Sequence, residues 1–295
     1  MRWQGKEQSR NIEDRRGERS SGGGGRGIGL GGLGIGALLI AGLIFLLGGD
    51  PSGFLQQAQQ QAPQQTEQRE SGTPYVGTEQ EEALAVIAGV VLKETEDVWG
   101  EIFPKQLGKR YTPAKLVLFE QSISSACGMA GSATGPFYCP GDSKVYLDVD
   151  FYDQLKQKFG APGDFAFAYV VAHEVGHHVQ NLLGYTNYVH QQKGRVSQAD
   201  YNDLSVRLEL QADFLAGVWA HHTYKNTDLI EDDDFQEAMR AAEAIGDDNI
   251  QRQTQGYIRP ETFTHGTSEQ RMRWFRYGLE TGDISKGDTF NARRL

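Results

Sequence analysis

The segment 170–180, VVAHEVGHHVQ, leaves a folding chain few choices. Around it Ala168, Val171, Ala172, Val175, Val179, Leu182 and Leu183 recur at helical spacing as one apolar stripe, while Ala166 and Val170 share the opposite face with His173 and His177. A helix apolar nearly all round is buried, so these imidazoles need partners for their ring nitrogens inside the protein. Positions i and i+4 lie about 40° apart around the axis and one turn apart along it, so both rings can meet one tetrahedral Zn2+. One ion per chain is expected. Glu174 falls beside it, placed to take a proton from an activated water. From the chain's own composition, about 0.01 such HExxH matches are expected by chance, which disfavours two core histidines bonded to carbonyls. His178, about 100° round from His177, is expected to be a structural or rim residue. Asp164 as N-cap and Gly184 just past the end bound the helix.

A catalytic zinc takes three protein ligands and keeps one position open. The third donor must come from elsewhere. A helix from about Ser197 or Ala199 to Tyr224 contains RLELQADFLAGVWAHH, with Glu209 and Asp213 at i and i+4 on a face that continues as Ala216 and Ala220. Small neighbours let that face approach another helix closely. The surrounding Leu208, Leu210, Ala212, Phe214, Leu215, Val218 and Trp219 argue against a solvated acidic face. Glu209 is the candidate third ligand. Asp213, one turn on, can accept the other ring N–H of a ligand histidine and fix its tautomer. His221 and His222 are poor ligands, because His221 lies about 18 Å beyond Glu209 along a continuous helix.

The first 26 residues are polar and glycine-rich, with seven Lys/Arg against four Asp/Glu, a composition expected to stay disordered. Gly27 to Leu47 is a stretch of 21 residues without a charge. As one helix it is long enough to cross a hydrocarbon core of about 30 Å. No small-x-small cleavage site follows it, which argues against a cleaved signal peptide. Positive charge is concentrated before the run, which predicts a single-pass protein with its N-terminus in the cytoplasm and its bulk outside. Residues 48–73, rich in Gln with Pro and Gly, read as a linker to a folded domain at 74–295. The net charge is −10. That surface argues against nucleic acid as a partner. Cys127 and Cys139 both follow the apolar run, and in an oxidising compartment they can close a short loop worth on the order of 3 kcal/mol. Two free thiols is the alternative.

Within the domain, Thr78-Glu79-Gln80-Glu81 is a capping-box pattern opening a long helix. Leu116–Phe119 reads as a buried strand, and Val145, Leu147 and Val149 alternate as a half-buried one. Between them lies a small-residue loop that the cysteines can pin. Lys144–Asp148 is a candidate to add a peptide as a further strand, although an internal, fully paired strand is the usual case. Tyr185–Gln198 reads as a polar loop holding His190, and residues 231–245 as an acid-started amphipathic helix. Thr267–Gln270 opens a last helix whose Met272, Trp274 and Phe275 face the core. His265 stands alone in FTHGTS.

MRWQGKEQSRNIEDRR, GPFYCPGDSKVYLD, AHEVGHHVQ, RLELQADFLAG and FTHGTSEQR together resemble the bacterial neutral zinc metallopeptidase family, membrane-anchored proteins with a basic head, one span and HExxH followed by ELQAD. The resemblance covers most of the chain. It implies an α+β zincin domain related to the thermolysin-like peptidases, mainly helical with a small sheet and preceded by one transmembrane helix in a bacterial inner or plasma membrane. It also implies His173, His177 and Glu209 on zinc, Glu174 as base and Asp213 as the partner of His173. Two functions of different class follow. One is a membrane-anchored endopeptidase acting on a peptide or protein, in which His265, or a Tyr or Arg side chain, is the donor to the oxyanion besides zinc. The other is a non-catalytic zinc-binding membrane scaffold, which needs the ligands but neither Glu174 nor an open coordination position. The presence of Glu174 favours the enzyme.

Overall fold

The computed structural model describes residues 1–18, 75, 77–131 and 134–295. The capping box at Thr78 forms as read: its side chain accepts from the Glu81 N–H while the Glu81 carboxylate accepts from the Thr78 N–H, starting α1, Glu79–Ile102. Four strands form a mixed sheet in the order β1 (Ile12–Asp14), β2 (Lys115–Phe119), β6 (Lys144–Asp148), β5 (Phe137–Cys139). The first three run parallel and β5 pairs antiparallel to β6. In this register Leu116 faces Val145 and Leu118 faces Leu147, and these four point into the main core. Val117, Phe119 and Tyr146 point the other way, into a smaller cluster with Ile123 and Cys139.

The segment between β2 and β6 is not one irregular loop. It contains the three-residue β5 and a hairpin of β3 (Ser122–Ser125) and β4 (Gly128–Gly131), in which Ser, Gly and Ala leave no apolar alternation to read. Cys127 in the hairpin turn is disulfide-bonded to Cys139 at the end of β5, tying hairpin to sheet. Because β6 is paired on both sides, it offers no edge for a peptide, and β5 is the outer strand there among the described residues.

The helices gather around α3 (Asp164–Leu183) and α5 (Gln198–Asn226). α6 (Asp234–Ala244) packs on α3, and α8 (Ser268–Thr281) packs along α5. α3 also meets α1 and the β5–β6 end of the sheet. Its N-cap is Gly163 rather than Asp164, and the Asp164 side chain instead accepts from Trp3 Nε1 at 2.8 Å. Three short helices carry no clear sequence signal: α2 (Phe151–Gln157), α4 (Tyr185–Gln192) and α7 (Asp247–Gln255). α4 replaces the expected polar loop and buries only Thr186 and Val189, while α7 buries nothing.

Residues 1–18 are not a disordered head. β1 completes the sheet, Trp3 and Ile12 pack on the core, and the Met1 amino group pairs with Asp234 at 2.9 Å. The compositional argument fails because the charges are partnered within the fold: Arg16 is buried against Asp14 and Glu82, and Lys115 and Lys144 converge on Glu13. Residues 19–26, the apolar run 27–47 and the linker 48–73 lie outside the described residues. Among the described residues no helix is long and apolar enough to cross a membrane.

Candidate metal centre

Small residues set the helix spacing from which the site is built. A Cβ on Gly176, inside the HEVGH sequence, would lie 3.0 Å from the Ala212 carbonyl oxygen, so α3 and α5 touch backbone to backbone there. On the other side of α5, Gly217 and Gly278 face each other's helix so closely that a Cβ on either would fall about 2 Å from a carbonyl oxygen, that of Phe275 or Phe214. These contacts bring Glu209 and Asp213 of α5 against the histidines of α3, and Arg271 of α8 against Asp213.

His173, His177 and Glu209 converge with one ligand atom each within 4.8 Å of the others. Glu209 Oε2 lies 3.2 Å from His173 Nε2, and Oε1 lies 3.5 Å from His177 Nε2. Zn–N and Zn–O bonds of about 2.0–2.1 Å put the ligand atoms of one tetrahedron about 3.3 Å apart. The donor set therefore fits zinc.

The other ring nitrogens are held. His173 Nδ1 is 2.7 Å from Asp213 Oδ1, and His177 Nδ1 is 2.8 Å from the Gln180 side-chain oxygen, whose amide group donates to the Leu208 carbonyl and to Gln211. Each Nδ1 thus finds an acceptor, which leaves each Nε2 lone pair for a metal. Asp213 is itself bound: Tyr169 Oη donates to Oδ1 at 2.5 Å, and Arg271 donates from Nε at 2.8 Å and Nη2 at 2.9 Å. All three side chains are buried. Burial alone would raise Asp213, but Arg271 and His173 bring it down to about 2. Likewise burial alone would lower His173, yet Asp213 and Glu209 raise it to about 10 in the metal-free protein. Glu209 is held well below the usual carboxylate range by the two histidines, against its own burial.

Glu174, 8% exposed, adjoins His173 in the chain and has no hydrogen-bond partner among the described residues. His178 is turned away: it is 1% exposed, its Nε2 donates to the Thr112 carbonyl and its Nδ1 meets the Tyr138 hydroxyl. His221 and His222 bond the carbonyls of Leu279 and Gly282, at the other end of α5. His265 stands half-exposed on the rim, where burial lowers its pKa but Asp247 and the field of Glu209 raise it further. Asp247 organises this loop, accepting the backbone N–H groups of Thr264, His265 and Gly266 while its other oxygen meets His265 Nδ1 at 3.1 Å.

Sequence reasoning missed Arg271, Tyr169, Gln180 and Asp247. Arg271 did carry a signal. It lies three and four residues before the buried Trp274 and Phe275, on the apolar stripe of α8, and an arginine there requires a buried carboxylate.

Two histidines one turn apart, a glutamate from a second helix and a carboxylate behind the first ring make a candidate site for one zinc ion. The chain belongs to the family described as "Putative neutral zinc metallopeptidase", whose model matches residues 1–290. It is 45% identical to the uncharacterized protein YpfJ of Escherichia coli K12 over 293 residues, 98% of this chain and 99% of that protein. It is 40% identical to the uncharacterized protein Rv2575 of Mycobacterium tuberculosis H37Rv over 269 residues, 85% of this chain and 86% of that one. No solved structure matches it.

Proposed function

We propose that this chain is a zinc-dependent endopeptidase, attached to a bacterial membrane through the apolar run 27–47 and mechanistically akin to the thermolysin-like peptidases. One observation carries the reading. Glu209, Asp213 and Asp247 are all engaged by neighbours, whereas Glu174 is buried beside the ligands and left free among the described residues. A purely structural zinc site has no use for such a carboxylate.

Zinc, when bound by His173, His177 and Glu209, supplies the Lewis acidity that activates a water and polarises the scissile carbonyl. Glu174 takes the proton of the attacking water and returns it to the leaving amine. Asp213, clamped by Arg271 and Tyr169, holds the His173 ring in place. His265 in its protonated form keeps Nδ1 on Asp247 and presents Nε2–H to the oxyanion. The outer edge of β5, whose Tyr138 hydroxyl is tied to His178 and Asn181 of α3, offers backbone groups that an extended peptide can pair with. The Cys127–Cys139 bridge supports an oxidising, extracytoplasmic location for the domain.

The test is Glu174→Gln in the full chain. Zinc should stay near one per chain while cleavage of a diverse peptide library falls by at least ~10²-fold. A wild-type protein with full zinc that cleaves no peptide, or a Gln variant as active as wild type, would overturn the assignment. A zinc-dependent scaffold would keep every function in the Gln variant.

A further inference from the structure

We infer that residues 1–18 and the metallopeptidase domain lie on the same side of the membrane to which the apolar run between them is proposed to attach the chain. This rests on the reading of residues 27–47 as membrane-embedded. Strands cannot pair through a bilayer, and β1 is a strand of the domain's own sheet: Ile12 pairs with Leu116, Glu13 with Val117 and Asp14 with Leu118. The head is held at other places too. The Arg2 N–H donates to the Leu229 carbonyl at 2.8 Å, Trp3 reaches Asp164 at the start of α3, and the Ser9 N–H donates to the Gly89 carbonyl at 3.0 Å.

Gly89 gives an independent indication. A glycine weakens a helix interior, and this one lies within α1. The three atoms nearest to a Cβ placed there all belong to the head: Gln8 Oε1 at 2.9 Å, Ile12 Cδ1 at 3.0 Å and Gln8 Cβ at 3.2 Å. The domain has made room for the segment that precedes the apolar run.

The two ends of the intervening chain also meet. Arg16 lies over the Tyr75 ring at 4.9 Å, and a Cβ on Gly17 would touch the same ring at 3.0 Å. Residues 16–17 and Tyr75, which flank the intervening chain, thus meet at one spot on the domain. A single crossing is incompatible with that. A double crossing would need a second apolar stretch, and GGDPSGFLQQAQQQAPQQTEQRESGT after Leu47 holds none.

Four of the seven cations behind the charge bias that favours a cytoplasmic head are paired within the protein. Arg2 pairs with Glu231, Lys6 with Asp228, Arg15 with Glu18, and Arg16 with Asp14 and Glu82. These cations serve the fold, and the orientation with head and domain on opposite sides is replaced by one that keeps them together.

Two measurements on the full-length protein in its own membranes test this. In Gln8→Cys/Gly89→Cys, with a protease site inserted in residues 56–66, the cleaved halves should stay joined on a non-reducing gel and separate on reduction. Single variants Gln4→Cys and Gln253→Cys, at exposed positions of a chain whose native cysteines are bridged, should react with a membrane-impermeant maleimide from the same side. Labelling of one only in intact spheroplasts and of the other only after lysis overturns the inference, whatever the cross-link shows. Same-side labelling with a joined pair supports it. Recovery of the protein without membranes would remove the anchor proposed above and overturn the same-side inference with it, while the cross-link would still decide whether the head pairs with the domain.

Discussion

Replacing Arg271 with Met keeps most of the aliphatic volume and removes the charge opposite Asp213. Arg271 is 2% exposed and Asp213 is fully buried, and two hydrogen bonds of 2.8 and 2.9 Å join them. Removing one partner of such a buried pair costs about 3–5 kcal/mol, because the other charge is left without compensation. For a domain of this size that corresponds to a melting point lower by about 6–20 °C. The loss should also reach the metal. An Asp213 without its cation takes up a proton more readily and loosens its hold on His173 Nδ1, and disturbing the group behind a ligand histidine typically weakens metal affinity by about 10–100-fold. Calorimetry on the EDTA-treated full chain reads the first effect, and competition against a chromophoric zinc chelator reads the second. Arg271→Met/Asp213→Asn removes both charges and should be less destabilised than the sum of the single variants by about 0.5–3 kcal/mol. An Arg271→Met protein within 1 kcal/mol of wild type, or strictly additive variants, would show that the pair neither stabilises the core nor serves the site.

Gly278→Ala would put a methyl group 2.0 Å from the Phe214 carbonyl oxygen; it should cost about 1–3 kcal/mol or more and lower zinc occupancy with it, and a thermal melt matching wild type would contradict the close contact. Metal-free protein should lose stability relative to the zinc form as pH rises from about 6.5 towards 10. His173 is raised to about 10 when folded against about 6.5 unfolded, so its contribution is full below the lower value and disappears through the upper one. A difference between metal-free and zinc-loaded melting points that does not vary over that range would count against the Asp213–His173–Glu209 geometry. Asp247→Asn should lower kcat by about 10²–10³ with little change in KM if His265 stabilises the oxyanion; an unchanged kcat would assign Asp247 to loop structure alone.

The convergence of His173, His177 and Glu209 was legible because its signal is local: a fixed spacing on one helix, and a second helix whose acids sit among apolar neighbours. Asp213 was legible for the same reason. The chain from Asp213 to Arg271 and Tyr169 was not, since it depends on α8 lying along α5, and nothing in the period of either helix specifies that partner. The hairpin was hidden by small residues, β5 by being only three residues long, and α7 by having no buried face. The head was misread through its composition. Seven cations and a glycine-rich continuation look like a solvated segment until the acids that receive Arg2, Lys6 and Arg16, namely Glu231, Asp228, Asp14 and Glu82, are known.

The placement of the head also bears on the order of events during synthesis. Residues 1–18 leave the ribosome first, but β2 follows about a hundred residues later and the Leu229 carbonyl more than two hundred later. At about 5–20 residues per second, the partner of Arg2 is made about 11–45 s after Arg2 itself. During that interval the apolar run has already emerged and can engage the insertion machinery, while the head has nothing to pair with. Under the membrane attachment proposed above, the side taken by the head is thus decided before the contacts that hold it to the domain exist. On that proposal, slowing translation after residue 47 should increase the fraction of chains in which an impermeant label reaches the head and the domain from different sides.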